Sequence, residues 1–148
     1  QACAASDDGL ARDWRVQGQA AMQLTITEVV DSDPVRVGFR SEVGEASGLW
    51  SGDSPVLGSR YCVELSVDKV LLYGTSVVAV DEVQQPSIHG VGGRAVLVGH
   101  LERIDEDGMG IFRVGDSVMM LEIVGDSVST PAWVRVGPVQ LLLSDMNY

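Results

Sequence analysis

Seven residues near the start of the chain alternate without a break: Trp14, Val16, Gly18, Ala20, Met22, Leu24 and Ile26 hold every second position. Arg15, Gln17, Gln19, Gln23, Thr25 and Thr27 fill most of the gaps. A period of two sends the first set to one face of a β-strand and the second set to the other. The chain therefore reads as a β protein from its first element, with Met22 inside a strand.

The rest of the sequence fits that start. Apolar residues make up 45% of 148 residues, enough for one compact domain or two very small ones. They are mostly Val, Leu, Ile and Ala, a mix that favours strands. Asp31-Ser32-Asp33-Pro34 is a turn cluster, and Val35 to Phe39 resumes the alternation. Residues 44–59 are rich in Gly, Ser, Asp and Pro and read as a long loop. Strand patterns return at Tyr61 to Val67 and at Val70 to Val80, the latter broken at Gly74. Residues 81–93 read as a polar, Gly-rich connection. Ala95 to Ile104, Gly110 to Val114 and Ser117 to Val124 follow as strands, joined by Asp105-Glu106-Asp107-Gly108 and by the two-residue turn Gly115-Asp116. Gly125 to Pro131 reads as a loop, and Gly137-Pro138 splits the last two strands, Ala132 to Val136 and Val139 to Leu143. No amphipathic helix of ten residues or more is expected.

This pattern predicts an all-β fold of about nine strands, a small closed barrel or sandwich. A polar arm, 1–13, precedes a single β domain, 14–148. Two halves, 14–80 and 94–148, look related. Val30-Asp31-Ser32-Asp33-Pro34-Val35 matches Ile104-Asp105-Glu106-Asp107-Gly108-Met109 without gaps, and Leu65 to Leu72 matches Val134 to Leu141. Internal duplication is one cause of such matches; chance resemblance among alternating β sequences is the other. The order of long strand, hairpin, loop and closing strand pair resembles the OB-fold. No family motif accompanies that order, so it implies a fold and no function.

Charge narrows the function. Ten basic residues stand against 21 acidic ones, a net of −11. A nucleic-acid binder needs Lys and Arg to neutralise phosphates, and this chain has one lysine, Lys69, with scattered arginines. DNA, RNA and anionic membranes are poor partners. A basic protein or a cation fits better. No run of 18 apolar residues marks a membrane span.

Chemistry-bearing residues are sparse. The two histidines are His89, in a Gly-rich stretch, and His100, within a strand. No serine sits in a Gly-x-Ser-x-Gly elbow, and no base and orienting group are marked beside one. Catalysis is not expected. Cys3, Cys62, His89 and His100 are too dispersed for a zinc site. No cofactor motif is present: Gly90-Val91-Gly92-Gly93 precedes a strand, not a helix. Asp105, Asp107, Gly110 and Asp116 have EF-hand-like spacing, but Met109 falls on a ligand position and the flanks are strands. These three aspartates are weak metal candidates, and a polar hairpin turn is the plainer reading.

Trp14 and Trp133 lie in strand patterns and are expected in the core. Trp50 lies in a Gly-rich loop beside Leu49 and is the candidate contact anchor, with Asp53 and His89 from the neighbouring loops completing the candidate binding residues. The alternative has the loop folding Trp50 back over an open barrel end.

Gln1-Ala2-Cys3-Ala4-Ala5-Ser6 resembles the stretch that follows an export signal. On that reading the protein is periplasmic, surface-bound or extracellular; the cytoplasm is the alternative. An even cysteine count in an exported protein predicts a Cys3–Cys62 disulfide tethering the arm; a lipid-anchored Cys3 is the alternative. The expected function is a non-enzymatic, exported interaction protein that engages a protein partner through loops 44–59 and 81–93 and an acidic surface. The alternatives are an immunity or inhibitor protein covering a basic toxin enzyme, and a structural subunit of an extracellular assembly built from copies of the chain.

Overall fold

A computed structural model describes residues 21–67, 69–80, 85–125 and 130–146. Every regular element among them is a strand: β1 Met22–Val30, β2 Arg36–Ser41, β3 Gly44–Ser51, β4 Arg60–Val67, β5 Leu71–Leu72, β6 Val77–Ala79, β7 Ser87–Val91, β8 Arg94–Ile104, β9 Met109–Val114, β10 Ser117–Val124, β11 Ala132–Val139 and β12 Leu141–Asp145. No helix among them is long and apolar enough to cross a membrane. The polar arm, Trp14 and Cys3 lie outside the described residues.

The alternation predicted for the first strand holds where it is described. Met22, Leu24 and Ile26 are buried. The strand runs on to Val30, past a register shift between Ile26 and Glu28. Such a shift bends a strand and lets a sheet curl into a barrel.

Five strands close that barrel. β1 pairs antiparallel with β2 and β4, β2 with β3, and β4 with β12. β12 completes the circuit by lying parallel to β3, with Leu143 opposite Trp50. The closed small barrel expected from the sequence is present.

The other strands repeat the circuit. β8, β9 and β10 form an antiparallel meander, and β11 flanks β8 as β4 flanks β1. The registers correspond position by position. Ile26 stands opposite Phe39, and Leu101 opposite Phe112; the next step in each first strand is a register shift. Ser41 opposite Gly44 closes one hairpin, and Val114 opposite Ser117 closes the other. The parallel closing strand of the second circuit is β5, with Leu71 opposite Ile123, and β6 then pairs with β11. So each circuit takes its closing strand from the other half of the chain: β12 serves the first, and β5–β6 serve the second. β7 joins them edge to edge, parallel to the start of β3 and antiparallel to β8.

Exchange of closing strands gives the halves one core. Phe39, Trp50, Val63 and Leu143 pack in the same buried cluster as Leu71, Leu97, Phe112 and Met119. Each such side chain contributes roughly 1.5–3 kcal/mol by leaving water, so neither half is indifferent to losing the strand it borrows.

Four expectations need correction. Residues 44–59 are not one loop: Gly44–Ser51 is β3. Its glycines and serines hide the strand, and Gly48 is required because a Cβ there would meet the Leu143 side chain and the Leu141 carbonyl. Residues 81–93 are not all connection: Ser87–Val91 is β7, followed by a turn at Gly92-Gly93. β11 runs through Gly137-Pro138 to Val139, absorbing them as a register shift, so the strand break falls at Gln140. Twelve strands are described where about nine were expected, the excess being β3, β7 and the splitting of the Val70 to Val80 stretch.

Candidate functional site

The residues singled out from the sequence do not gather into a site. Trp50 lies on β3 at 5% exposure and belongs to the core. Its indole Nε1 donates to the Asp53 carbonyl at 2.6 Å, and its ring stands edge-on to Tyr61, centroids 5.0 Å apart. The loop at 52–59 is thus strapped down by Trp50, and the anchor expected in it has almost no surface to offer. Leu49 is half-buried on β3, opposite Arg36 and Leu142. Asp53 is exposed in the loop, and His89 is exposed on β7 beside Glu45, four positions along β3 from Leu49. The metal candidates are also apart. Asp105 and Asp107 lie in the β8–β9 turn, Asp116 in the β9–β10 turn, at opposite ends of β9. A six-residue strand spans roughly 20 Å, too far for one ion. Among the described residues, no group of three or more His, Cys, Asp or Glu is arranged to hold a metal.

A different tryptophan faces outward. On β11, Val134 and Val136 point into the core, so Trp133 points to the other side, half-buried and not core as the sequence suggested. Directly opposite it on β8 is His100, and directly opposite His100 on β9 is Arg113. Residues opposed across neighbouring strands bring their side chains together on one face. The His100 and Trp133 rings meet edge-on, centroids 5.7 Å apart. Arg113 Nε donates to Glu102 Oε2 at 2.7 Å. With both side chains about a third to a half exposed, that ion pair adds little stability; its effect is to hold the guanidinium in place. The next position across, Val118 on β10, packs with Ile111 and Met120 in a small apolar cluster of its own.

These residues line an open pocket of about 370 Å³, bounded by Pro86, His100, Arg113, Gly115 and Trp133. That is at the small end of ligand sites. It combines an aromatic wall, an imidazole and a guanidinium whose terminal nitrogens make no hydrogen bond among the described residues. The corresponding row of the first barrel is Arg60, Thr25 and Arg40, with no aromatic ring. The pocket is therefore a feature of the second circuit alone. It was within reach of sequence reasoning: once Val134 and Val136 are taken as core, parity places Trp133 outside.

Compared with family models, curated proteins and solved structures, the chain matches none.

Proposed function

We propose that this chain is a non-enzymatic interaction protein, exported to the cell envelope or beyond, that binds a protein partner through the outer face of β8, β9 and β11. The observation that carries the reading is Trp133, a large aromatic side chain held on the outer face of a strand and lining one pocket with a positioned arginine. Trp and Arg dominate the energetics of protein interfaces when they sit in a pocket. The net charge of −11 on the chain as a whole supplies a long-range field that steers a basic partner. Trp133→Ala is expected to lower the affinity for a purified partner by roughly 2 kcal/mol or more while leaving the melting temperature within a few degrees. An unchanged affinity removes the site from the interface.

The excess of 21 acidic over 10 basic residues favours one second reading, an immunity or inhibitor protein covering a basic enzyme. Loss of that enzyme's activity on mixing, reversed by salt, separates it from a simple docking module. Two further proposals accompany both readings. Cys62, half-buried on β4, pairs with Cys3 to tether the arm; the support is that no free cysteine is found among the described residues. The matching registers of the two halves support an internal duplication as their origin.

A further inference from the structure

The pocket chemistry specifies what it takes. The Arg113 guanidinium spends Nε on Glu102 and has both terminal nitrogens left over, about half exposed to solvent. That fork matches the two oxygens of a carboxylate. The ring nitrogens of His100 and the indole Nε1 of Trp133 make no hydrogen bond among the described residues and add donors on the same side. Facing them are the Trp133 ring and Pro86, an apolar wall, with Gly115 completing the lining. A cationic guest would sit against Arg113 and be repelled. A neutral sugar would leave the guanidinium fork without a matching partner. A carboxylate attached to an apolar body satisfies both walls, and the volume of about 370 Å³ admits one large side chain with its terminal carboxylate and little more.

We infer that the pocket formed by Trp133, His100 and Arg113 captures the C-terminal carboxylate and last apolar side chain of a polypeptide partner. The inference rests on the protein-partner reading and deepens it. It reconciles two facts that otherwise conflict: the chain as a whole is acidic, yet the outward-facing Trp133 shares a pocket with an arginine. A partner that is basic overall is drawn in by the long-range field and still presents one negative group, its chain end, to the one place built for it. The absence of an aromatic ring in the matching row of the first barrel makes the capture single-sited.

The test uses the full chain and two probes, N-acetyl-glycyl-phenylalanine with a free carboxylate and the same peptide as its C-terminal amide. Binding is read from the indole N–H resonance of Trp133, assigned by its disappearance in Trp133→Phe. The acid is expected to shift that resonance saturably, with the amide at least tenfold weaker. Arg113→Gln is expected to bring the acid down to the level of the amide while the fold, checked by the remaining indole signals, is retained. Equal binding of acid and amide, an unaffected acid titration in Arg113→Gln, or a shift produced by cellobiose in place of the peptide acid overturns the inference. The partner's own affinity separates the two levels. If Trp133→Ala weakens partner binding but the acid has no advantage over the amide, the surface is right and the capture is wrong. If the acid binds as expected but Trp133→Ala leaves the partner's affinity unchanged, the pocket is right and the partner reading fails.

Discussion

The rings of Trp50 and Tyr61 meet edge to face at 5.0 Å, and each also ties down the loop between their strands: Trp50 through the Asp53 carbonyl, Tyr61 by accepting from the Val56 N–H at 3.0 Å. Trp50→Ala removes a buried ring and both the contact and the bond. It is expected to destabilise the fold by about 3–5 kcal/mol, read as a lowered denaturation midpoint. Trp50→Phe should recover part of that loss and leave partner affinity unaltered. A large affinity change in a well-folded Trp50→Phe protein would return this residue to the interface.

Strand glycines differ sharply in what they tolerate. A Cβ on Gly99 would collide with the Arg113 carbonyl and approach Phe112 Cζ at 2.9 Å. Gly90 has nothing nearer than the Ala46 Cα at 3.5 Å. Gly99→Ala should destabilise by roughly 1–3 kcal/mol or prevent folding, whereas Gly90→Ala should change stability by less than about 1 kcal/mol. Urea titration of the pair checks both, and equal effects would contradict the close approach of β8 to β9.

Ser117 is the one buried polar side chain of the described residues, and its hydroxyl has no hydrogen-bond partner among them. A buried, unmet hydroxyl costs about 1–3 kcal/mol. Ser117→Ala is therefore expected to leave the protein as stable or more stable by about 1 kcal/mol. A clear loss of stability would mean that the hydroxyl has a partner.

If Cys3 and Cys62 are bridged, protein isolated under oxidising conditions should show no reactive thiol, and reduction should add two hydrogens to its mass. The bridge closes a loop of about 60 residues, for which chain entropy gives an upper stabilisation of roughly 4 kcal/mol. Two thiols that react without reduction would end the proposal.

Leu71 and Leu143 are fully buried on the two closing strands, each lent to the other half. Leu71→Ala and Leu143→Ala should each lower stability by about 2–5 kcal/mol. Because the circuits share strands, each variant should still unfold in one transition when followed by probes in both barrels. Two separated transitions would show that the circuits are energetically independent.

Legibility in the sequence followed the side chains that faced the core. Met22, Leu24 and Ile26 announced β1 because nothing but parity decides where an alternating strand points. β3 was hidden because its inward positions include Gly48, small for the sake of a close approach by β12; no residue of β3 itself carries that information. β7 was hidden because Ile88 alone of its five residues is buried: Ser87 is half-buried, and His89, Gly90 and Val91 are exposed. The relation between the halves was read without gaps across the first turn. The registers give the two turns the same length, between the last pairs Val30 and Arg36 and Ile104 and Gly110, with one more ladder pair beyond the register shift in the first hairpin. The pocket was missed for a different reason. Trp50 and Trp133 were sorted by whether they lay in loop or strand patterns, when the deciding property was which face of the strand each occupied.

The exchanged closing strands also bear on how the molecule is made. The first barrel has four of its strands once residue 67 exists, but it lacks the strand that lies between β3 and β4 until residues 141–145 arrive. During synthesis the early half carries an open edge on β3 and an uncovered apolar interior from Val67 until Leu141 is added, about half the length of the chain. Pairing Trp50 with Leu143 is a contact of very high sequence separation, the kind that slows folding. The first ring thus closes only once β12 has been made, and a chain cut before Leu141 leaves both the edge and the core of that ring exposed.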